Sequence, residues 1–177
     1  MRKFVVLSLL ALALVAQPAE AATWPRWVRP VGQGQVVIQF ERTKVSTAMW
    51  AELTAAMKAW SRSGRVEAVP VARCKDRYRY CVRVTEYRAR DGKGGRTLLY
   101  ADPRTNRAWY GEVRVNLYYA TTKATRRKIA CHEVGHAVGA VHRTGNTCMH
   151  DGLTSLFGSP NGADYALLQS LYRTAGS

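Results

Sequence analysis

The sequence predicts a single α+β domain, because strand-like and helix-like runs both recur along its 177 residues. The strand-like runs are rich in β-branched and aromatic residues and mostly alternate apolar with polar positions. The helix-like runs carry apolar residues three and four positions apart, which places those residues on one face. The length suits one domain with a sizeable core.

The first half of the domain should contain three strands and one helix. Residues 22–35 hold two tryptophans, two prolines and two glycines, and they predict an irregular arm. A short β-branched run, Val36–Phe40, predicts the first strand. Apolar side chains at helical spacing predict a helix over Thr47–Arg62, with its methionine and aromatic stripe in the core. Val66–Ala72 and Tyr80–Tyr87 predict the next two strands.

The second half should begin with two further extended segments. Three glycines make Asp91–Gly95 a flexible turn. Thr97–Ala101 is predicted to be extended, and the alternation of apolar and polar residues in Trp109–Tyr119 predicts the last strand.

Two helices should close the chain. The first is predicted to begin at Thr121 or Thr122, either of which can cap it, and to run to Gly139. Its early turns carry four basic residues that predict a solvated face: Lys123, Arg126, Arg127 and Lys128. Asn161 can cap the final helix, with Asp164 three residues further on as the partner in a capping box.

The first 21 residues are predicted to be a signal peptide. The chain begins with Met1-Arg2-Lys3, continues with an apolar run from Phe4 to Ala16, and has small residues at the A-x-A positions before the cleavage site. The apolar run is too short to span a bilayer as a helix. We therefore expect cleavage after Ala21, a domain over residues 22–177 without a membrane span, and export from the cell. A retained N-terminal anchor is the alternative.

The charge balance is strongly basic, since 27 Lys and Arg against 12 Asp and Glu give a formal net charge of +15. Such a balance favours association with polyanions through long-range steering. Export and the lack of a recognisable nucleic-acid motif argue against a specific nucleic-acid partner. An acidic envelope, a wall polymer or an acidic protein is the expected partner, and a basic surface without a specific partner is the alternative.

The most informative stretch reads H-E-V-G-H-A-V-G-A-V-H. Two histidines four positions apart, His132 and His136, lie on one face of a helix, so both imidazoles can reach one ion. Gly139 lets the chain leave the helix sharply, because glycine adopts left-handed backbone angles at little cost, and His142 can then return as a third ligand. Three imidazoles and an open fourth position indicate a catalytic zinc site, with Glu133 placed to act as a base.

This stretch resembles the long zinc motif of the metzincin metallopeptidases, and Cys148-Met149-His150 stands where that family has its methionine turn. The resemblance implies a metzincin-like catalytic domain. That domain would have a twisted mixed β-sheet of about five strands, a backing helix, a zinc-binding active-site helix, a Met turn and a C-terminal helix. In outline the chain is most similar to small secreted matrixin catalytic domains, because Ala163–Tyr172 resembles their closing helix.

The resemblance implies a secreted zinc endopeptidase with one catalytic zinc ion and a protein or peptide substrate. His132, His136 and His142 would hold the metal, and Glu133 would activate the zinc-bound water. Met149 would lie below the metal as an apolar floor. The calcium sites common in matrixins are not expected, because acidic residues are sparse. The alternative is a zinc-dependent amidase or peptidase acting on cell-wall or other peptide-containing polymers, which the basic charge favours.

Metzincins hold their substrate along an antiparallel edge strand that precedes the zinc helix. By resemblance, either Thr97–Ala101 or Trp109–Val113 includes that edge. Leu153–Ser159 would line the side of the cleft that receives the residue after the cut bond. His150 is expected to be a surface residue, with a fourth metal ligand and a transition-state donor as alternatives.

The cysteine count also indicates export, because an even number in an exported chain is typical of disulfides. The four are Cys74, Cys81, Cys131 and Cys148. Three pairings are possible. We prefer Cys74–Cys81, which closes a short local loop, together with Cys131–Cys148, which would tie the start of the histidine motif to the Met turn.

Overall fold

The computed structural model describes residues 24–28, 30, 32–76, 79–152 and 155–173. The predicted signal peptide lies outside these residues. The described part contains six strands and three helices. In chain order they are β1 (Arg26–Trp27), β2 (Val36–Lys44), α1 (Thr47–Ser61), β3 (Val66–Val71), β4 (Cys81–Tyr87), β5 (Gly95–Ala101), β6 (Arg107–Asn116), α2 (Lys123–Ala137) and α3 (Gly162–Leu171). Among these helices, none is both long enough and apolar enough to cross a membrane.

The α+β prediction is confirmed, with one element that sequence analysis missed. The segment predicted as an irregular arm contains β1, which pairs in parallel with the start of β6 through Arg26↔Arg107 and Trp27↔Ala108. A strand of two residues is too short to show a periodic pattern. Its partner lies about eighty residues further along the chain, a separation at which pairing leaves no local signal.

The sheet has the order β1-β6-β4-β2-β3, with β5 added on β6. Strands β2, β3, β4 and β6 are parallel, and β5 is antiparallel to β6. Because β6 pairs with β4 and β5 through the same residues, those two neighbours lie on its opposite sides. Among the described residues β5 has no second strand beside it, so the edge is the Thr97–Ala101 segment. Trp109–Val113 lies inside the sheet.

Helix α1 backs the sheet and supports the helix that carries the histidines. Its predicted stripe is fully buried at Met49, Leu53, Met57 and Trp60. One face contacts β3 and another contacts α2. Trp60 also donates from its indole Nε1 to the carbonyl oxygen of Cys131, at 2.9 Å, which satisfies the polar atom of a buried ring. This contact fixes α2 against α1 one residue before the first histidine.

The loop between β4 and β5 is held by one buried side chain, Asn116. The amide nitrogen carries two hydrogens and lies within donating distance of three oxygens: the carbonyls of Ala89 at 2.7 Å and Lys93 at 2.9 Å, and Asp91 Oδ1 at 3.0 Å. The amide oxygen accepts from the backbone N–H groups of Ala89 at 3.1 Å and Tyr118 at 3.0 Å. The segment predicted to be a flexible turn is therefore tied to the end of β6.

We expect Asn116→Ala to lower the free energy of unfolding by about 2–4 kcal/mol, because each buried polar group left without a partner costs roughly 1–3 kcal/mol. Urea unfolding followed by circular dichroism measures the change. The control is Asn146→Ala, at an exposed position, which should change stability by less than about 0.5 kcal/mol. Equal effects of the two substitutions would contradict the role given to Asn116.

Candidate metal centre

The three histidines of the motif converge on one point. The Nε2 atom of His136 lies 3.1 Å from that of His132 and 3.0 Å from that of His142. The remaining pair, His132 and His142, is 3.2 Å apart. The fourth histidine, His150, is not part of this group. Its Nδ1 lies 2.6 Å from the carbonyl oxygen of Asp151 instead.

Helix α2 and the turn after it place these three ligands. Thr122 caps the helix and forms a reciprocal capping box with Thr125, so the second of the two predicted starting positions is the cap. The helix ends at Ala137, two residues before the predicted end at Gly139, and Gly139 adopts a φ of +102° in the turn that follows. An L-residue with a side chain rarely adopts that angle. The turn brings the following segment back so that His142 faces the helix.

Hydrogen bonds at the other ring nitrogens fix the tautomers of two ligands. Nδ1 of His132 lies 2.8 Å from the Cys148 carbonyl oxygen, and Nδ1 of His136 lies 2.9 Å from that of Ala140. Because a carbonyl oxygen only accepts, each Nδ1 carries the hydrogen. Burial lowers the pKa of His132 to about 4 and that of His136 to about 3. Both rings are therefore neutral at pH 7 and turn Nε2 lone pairs toward each other.

Two facing lone pairs repel each other and cannot form a hydrogen bond. A cation bound between the Nε2 atoms would stabilise the cluster. A tetrahedral zinc site with Zn–N distances of about 2.0–2.1 Å separates neighbouring nitrogens by about 3.3 Å. The observed separations of 3.0–3.2 Å are close to that value. Neutral imidazoles with a supporting hydrogen bond at Nδ1 are the usual zinc ligands. The residues present therefore fit one zinc ion.

A second convergent group consists of Glu41, Cys74 and Cys81. Its two sulfurs are joined in the Cys74–Cys81 disulfide, so they do not offer thiolates to a metal. The other bridge joins Cys131 to Cys148. These are the two pairs that sequence analysis preferred. The second bridge fastens the start of the histidine motif to the turn that supplies the carbonyl partner of His132.

Lys128 also joins α2 to the segment around Cys148, and the prediction that it lies on a solvated face is wrong. Its side chain is buried, and its Nζ donates to the carbonyl oxygens of Cys148 and His150, each at 2.6 Å. Burial lowers the pKa of Lys128 to about 8, so the ammonium form predominates at neutral pH. The four-residue spacing from His132 was the available signal, since it puts both side chains on one face of α2.

Met149 is fully buried beneath α2. A Cβ atom built on Gly135 would collide with Met149 Sδ and with the ring of Trp60. The backbone N–H of Met149 donates to Thr147 Oγ1 at 3.0 Å, and its carbonyl accepts from Arg143 at 3.0 Å. The turn is therefore packed directly against the helix between the two histidines that α2 carries.

Glu133 is also buried, and strand β5 encloses its carboxylate. Thr97 Oγ1 lies 2.6 Å from Glu133 Oε2 and 3.0 Å from the Glu133 carbonyl oxygen. A Cβ atom on Gly95 would lie 2.7 Å from both Cγ and Oε1 of Glu133. Burial raises the pKa of Glu133 to about 7, against the opposing effects of the Thr97 hydrogen bond and the Lys128 charge. No sequence pattern indicated that Thr97 or Gly95 would contact Glu133, although Thr97 begins one of the two candidate edge segments.

Two tryptophans of the N-terminal segment support the C-terminal end of α2. Trp24 donates from Nε1 to the His136 carbonyl oxygen at 2.9 Å, and its ring centroid lies 5.2 Å from that of His136. Trp27 donates from Nε1 to the Ala137 carbonyl oxygen at 2.7 Å. The Ala137 carbonyl is one that the end of the helix leaves without an intrahelical partner, and the His136 carbonyl also accepts from the Gly139 N–H at 3.0 Å. The predicted irregular arm is thus part of the site.

The candidate site opens onto a cleft of about 820 Å³. Its walls include the three histidines, Glu133, the first residues of β5 and the loop before it. Leu153 and Thr154, in the segment predicted to line one side of the cleft, lie outside the described residues. Leu156 and Phe157 are exposed and are not among the described residues that line the cleft. That assignment stays a prediction.

The fold is similar to known structures, although no protein-family model and no curated protein matches the sequence. A structure of myroilysin superposes with a TM-score of 0.55 at 10% identity, over 86% of this chain and 97% of the other. A second myroilysin structure gives a TM-score of 0.51 at 14% identity, over 88% and 93%. At these identities the likeness establishes the fold alone. It confirms the predicted arrangement of a mixed sheet, a backing helix, a histidine-bearing helix and a C-terminal helix.

Proposed function

We propose that the protein is a secreted zinc-dependent endopeptidase. The observation that carries the proposal is the placement of three convergent Nε2 atoms beside one buried carboxylate in an open cleft. His132, His136 and His142 are the proposed ligands of a single ion, and Glu133 is the proposed catalytic residue. The resemblance of the motif to that of the metzincins supports the same assignment.

When bound by these histidines, zinc supplies Lewis-acid polarisation of the substrate carbonyl and lowers the pKa of a bound water to about 7. Glu133 takes a proton from the attacking water and delivers it to the leaving amine, so it acts first as base and then as acid. Because Thr97 holds Oε2, we assign the moving proton to Oε1. A carboxyl group whose pKa lies near 7 can hold or release a proton at neutral pH.

The free edge of β5 is the proposed binding site for an extended peptide substrate. Its outer backbone groups have no strand partner in the described part of the chain. An extended peptide can add to such an edge through main-chain hydrogen bonds. Since Thr97 lies in β5 and contacts Glu133, a peptide on this strand would lie close to the proposed catalytic residue.

Export fits the proposed function. The predicted signal peptide over residues 1–21 and the two disulfides both favour an oxidising compartment outside the cytosol. We propose a mature domain over residues 22–177 that is extracellular or associated with the cell envelope.

A second candidate function is hydrolysis of a peptide-containing wall polymer or another amide. The net charge of +15 favours it, because an anionic polymer would concentrate a basic enzyme at its surface. Parallel incubations with casein and with purified cell walls discriminate between the two. Release of wall peptides without cleavage of casein would favour the second candidate.

We expect the purified protein to contain one zinc ion per chain, since only one group of histidines converges among the described residues. A strong chelator should abolish cleavage, and added zinc should restore it, whereas calcium should not. Metal analysis together with casein cleavage measures both effects. Zinc-free protein that cleaves casein at the full rate would exclude the proposed metal dependence.

A further inference from the structure

Strand β5 contacts the proposed catalytic residue at two positions that lie two residues apart. Thr97 Oγ1 lies 2.6 Å from Glu133 Oε2. The same carboxylate lies so close to the Gly95 backbone that a Cβ added there would collide with it. Successive residues of a strand point to opposite faces, so Gly95 and Thr97 both face α2. Arg96 and Leu98 are exposed on the opposite face.

We propose that Thr97 is a positioning residue for Glu133. By holding Oε2, its hydroxyl fixes the orientation of the carboxylate and leaves Oε1 as the oxygen that exchanges the proton. This inference rests on the proposed peptidase function, in which Glu133 is the catalytic residue. Thr97 itself need not touch the substrate to act in this way.

The distances favour the carboxylate as the partner of the hydroxyl. A hydroxyl carries one hydrogen, so it donates to one acceptor at a time. Glu133 Oε2 lies at 2.6 Å, a length typical of a charge-assisted O–H···O⁻ bond, whereas the Glu133 carbonyl lies at 3.0 Å. Both acceptors belong to one residue, so Thr97 contacts the backbone and the carboxylate of Glu133 together.

Gly95 packs against the same carboxylate from the same face of β5. An added Cβ would lie 2.7 Å from Glu133 Cγ and 2.7 Å from Oε1. Bare backbone at this position therefore leaves the space that Oε1 occupies, while Thr97 holds Oε2. A small misplacement of a catalytic group can lower a rate about 100-fold, so this packing affects catalysis without touching the metal.

The test compares Thr97→Val, which keeps the shape but removes the hydroxyl, with Thr97→Ser, which keeps the hydroxyl. Because a hydrogen bond to a charged group is worth a factor of about 10 to 100, we expect Thr97→Val to lower kcat by that factor. KM, zinc content and melting temperature should stay near the wild-type values. Thr97→Ser should restore kcat to within about threefold. The control is Thr85→Val, in β4 outside the cleft, which should change none of these.

A second readout does not depend on activity. The infrared carboxyl band of Glu133, identified by difference from Glu133→Gln, should shift in Thr97→Val and remain in place in Thr97→Ser and Thr85→Val. An unshifted band, or a Thr97→Val variant with wild-type kcat, would overturn the proposal. So would a loss of zinc equal to the loss of kcat, because the residue would then act on the metal. If the wild type cleaves nothing although the band shifts, the peptidase function fails and the contact between Thr97 and Glu133 stands.

Discussion

Glu133→Gln is expected to lower the rate of peptide cleavage by about 10²–10⁴-fold, the usual contribution of general acid–base catalysis. The amide keeps the size and shape of the carboxylate but cannot accept the proton. Glu133 is next to a proposed ligand in the sequence, yet its carboxylate faces β5, where Thr97 holds it. Zinc content and folding should therefore remain at wild-type levels.

The control for this substitution is Glu67→Gln, which makes the same chemical change at an exposed position in β3. Steady-state cleavage of one peptide and zinc content are measured on all three proteins. If the zinc-loaded Glu133→Gln variant kept more than about a tenth of the wild-type rate, Glu133 would not be the general base, because even the weakest such catalysis contributes more.

His142→Ala is expected to abolish cleavage together with metal binding. Loss of a residue that hydrogen-bonds a metal ligand lowers the metal affinity by about 10–100-fold. Loss of the ligand itself should therefore lower the affinity by at least about 100-fold. His142 is the most exposed of the three proposed ligands and comes from the segment after Gly139, so its removal leaves α2 and its caps in place. Melting temperature in the presence of chelator should be close to that of the wild type.

The chain offers a matched control in its fourth histidine. His150 is next in sequence to Asp151, which lines the cleft, and its Nδ1 contacts the Asp151 carbonyl. It is not part of the convergent group. Competition with a fluorescent zinc chelator gives the affinities, and His150→Ala should keep the wild-type value. A His150→Ala variant that lost zinc as strongly as His142→Ala would make His150 a fourth ligand.

The local parts of the fold and of the site could be predicted from sequence because their signals lie within one helix or turn. The spacing of His132 and His136 requires only that the segment be helical, and Gly139 marks the turn two residues after that helix. Thr122 and Asn161 were recognisable as caps, because a capping residue acts within three positions of itself. The preferred disulfide pairing also followed from local reasoning, because each bridge was given its own local function.

Contacts between distant segments could not be predicted in this way. Thr97 lies thirty-six residues before Glu133, and Trp24 lies more than a hundred residues before the His136 carbonyl. Their roles depend on how β5 and the N-terminal segment pack on α2. No periodic pattern encodes such packing, because many arrangements bury the same apolar stripe equally well.

Lys128 shows how a general rule fails at a specific site. Lysine is rarely buried, so a cluster of basic residues is ordinarily read as a solvated face. Here the carbonyl groups of Cys148 and His150 accept its hydrogen bonds and replace water. Asn116 is a second such residue, since the sequence gives no sign that an asparagine at the end of a strand will hold the loop before β5.

The most direct test of the proposed function is mass-spectrometric mapping of new peptide termini in a proteome-derived peptide library. Zinc-loaded wild-type protein, chelator-treated protein and the zinc-loaded Glu133→Gln variant are compared at equal concentration. New termini should appear with the wild type alone and should share a residue preference on at least one side of the cut. A library left intact by the zinc-loaded wild type, or cut equally by Glu133→Gln, would contradict the proposal that the histidine cluster and Glu133 form a peptidase site.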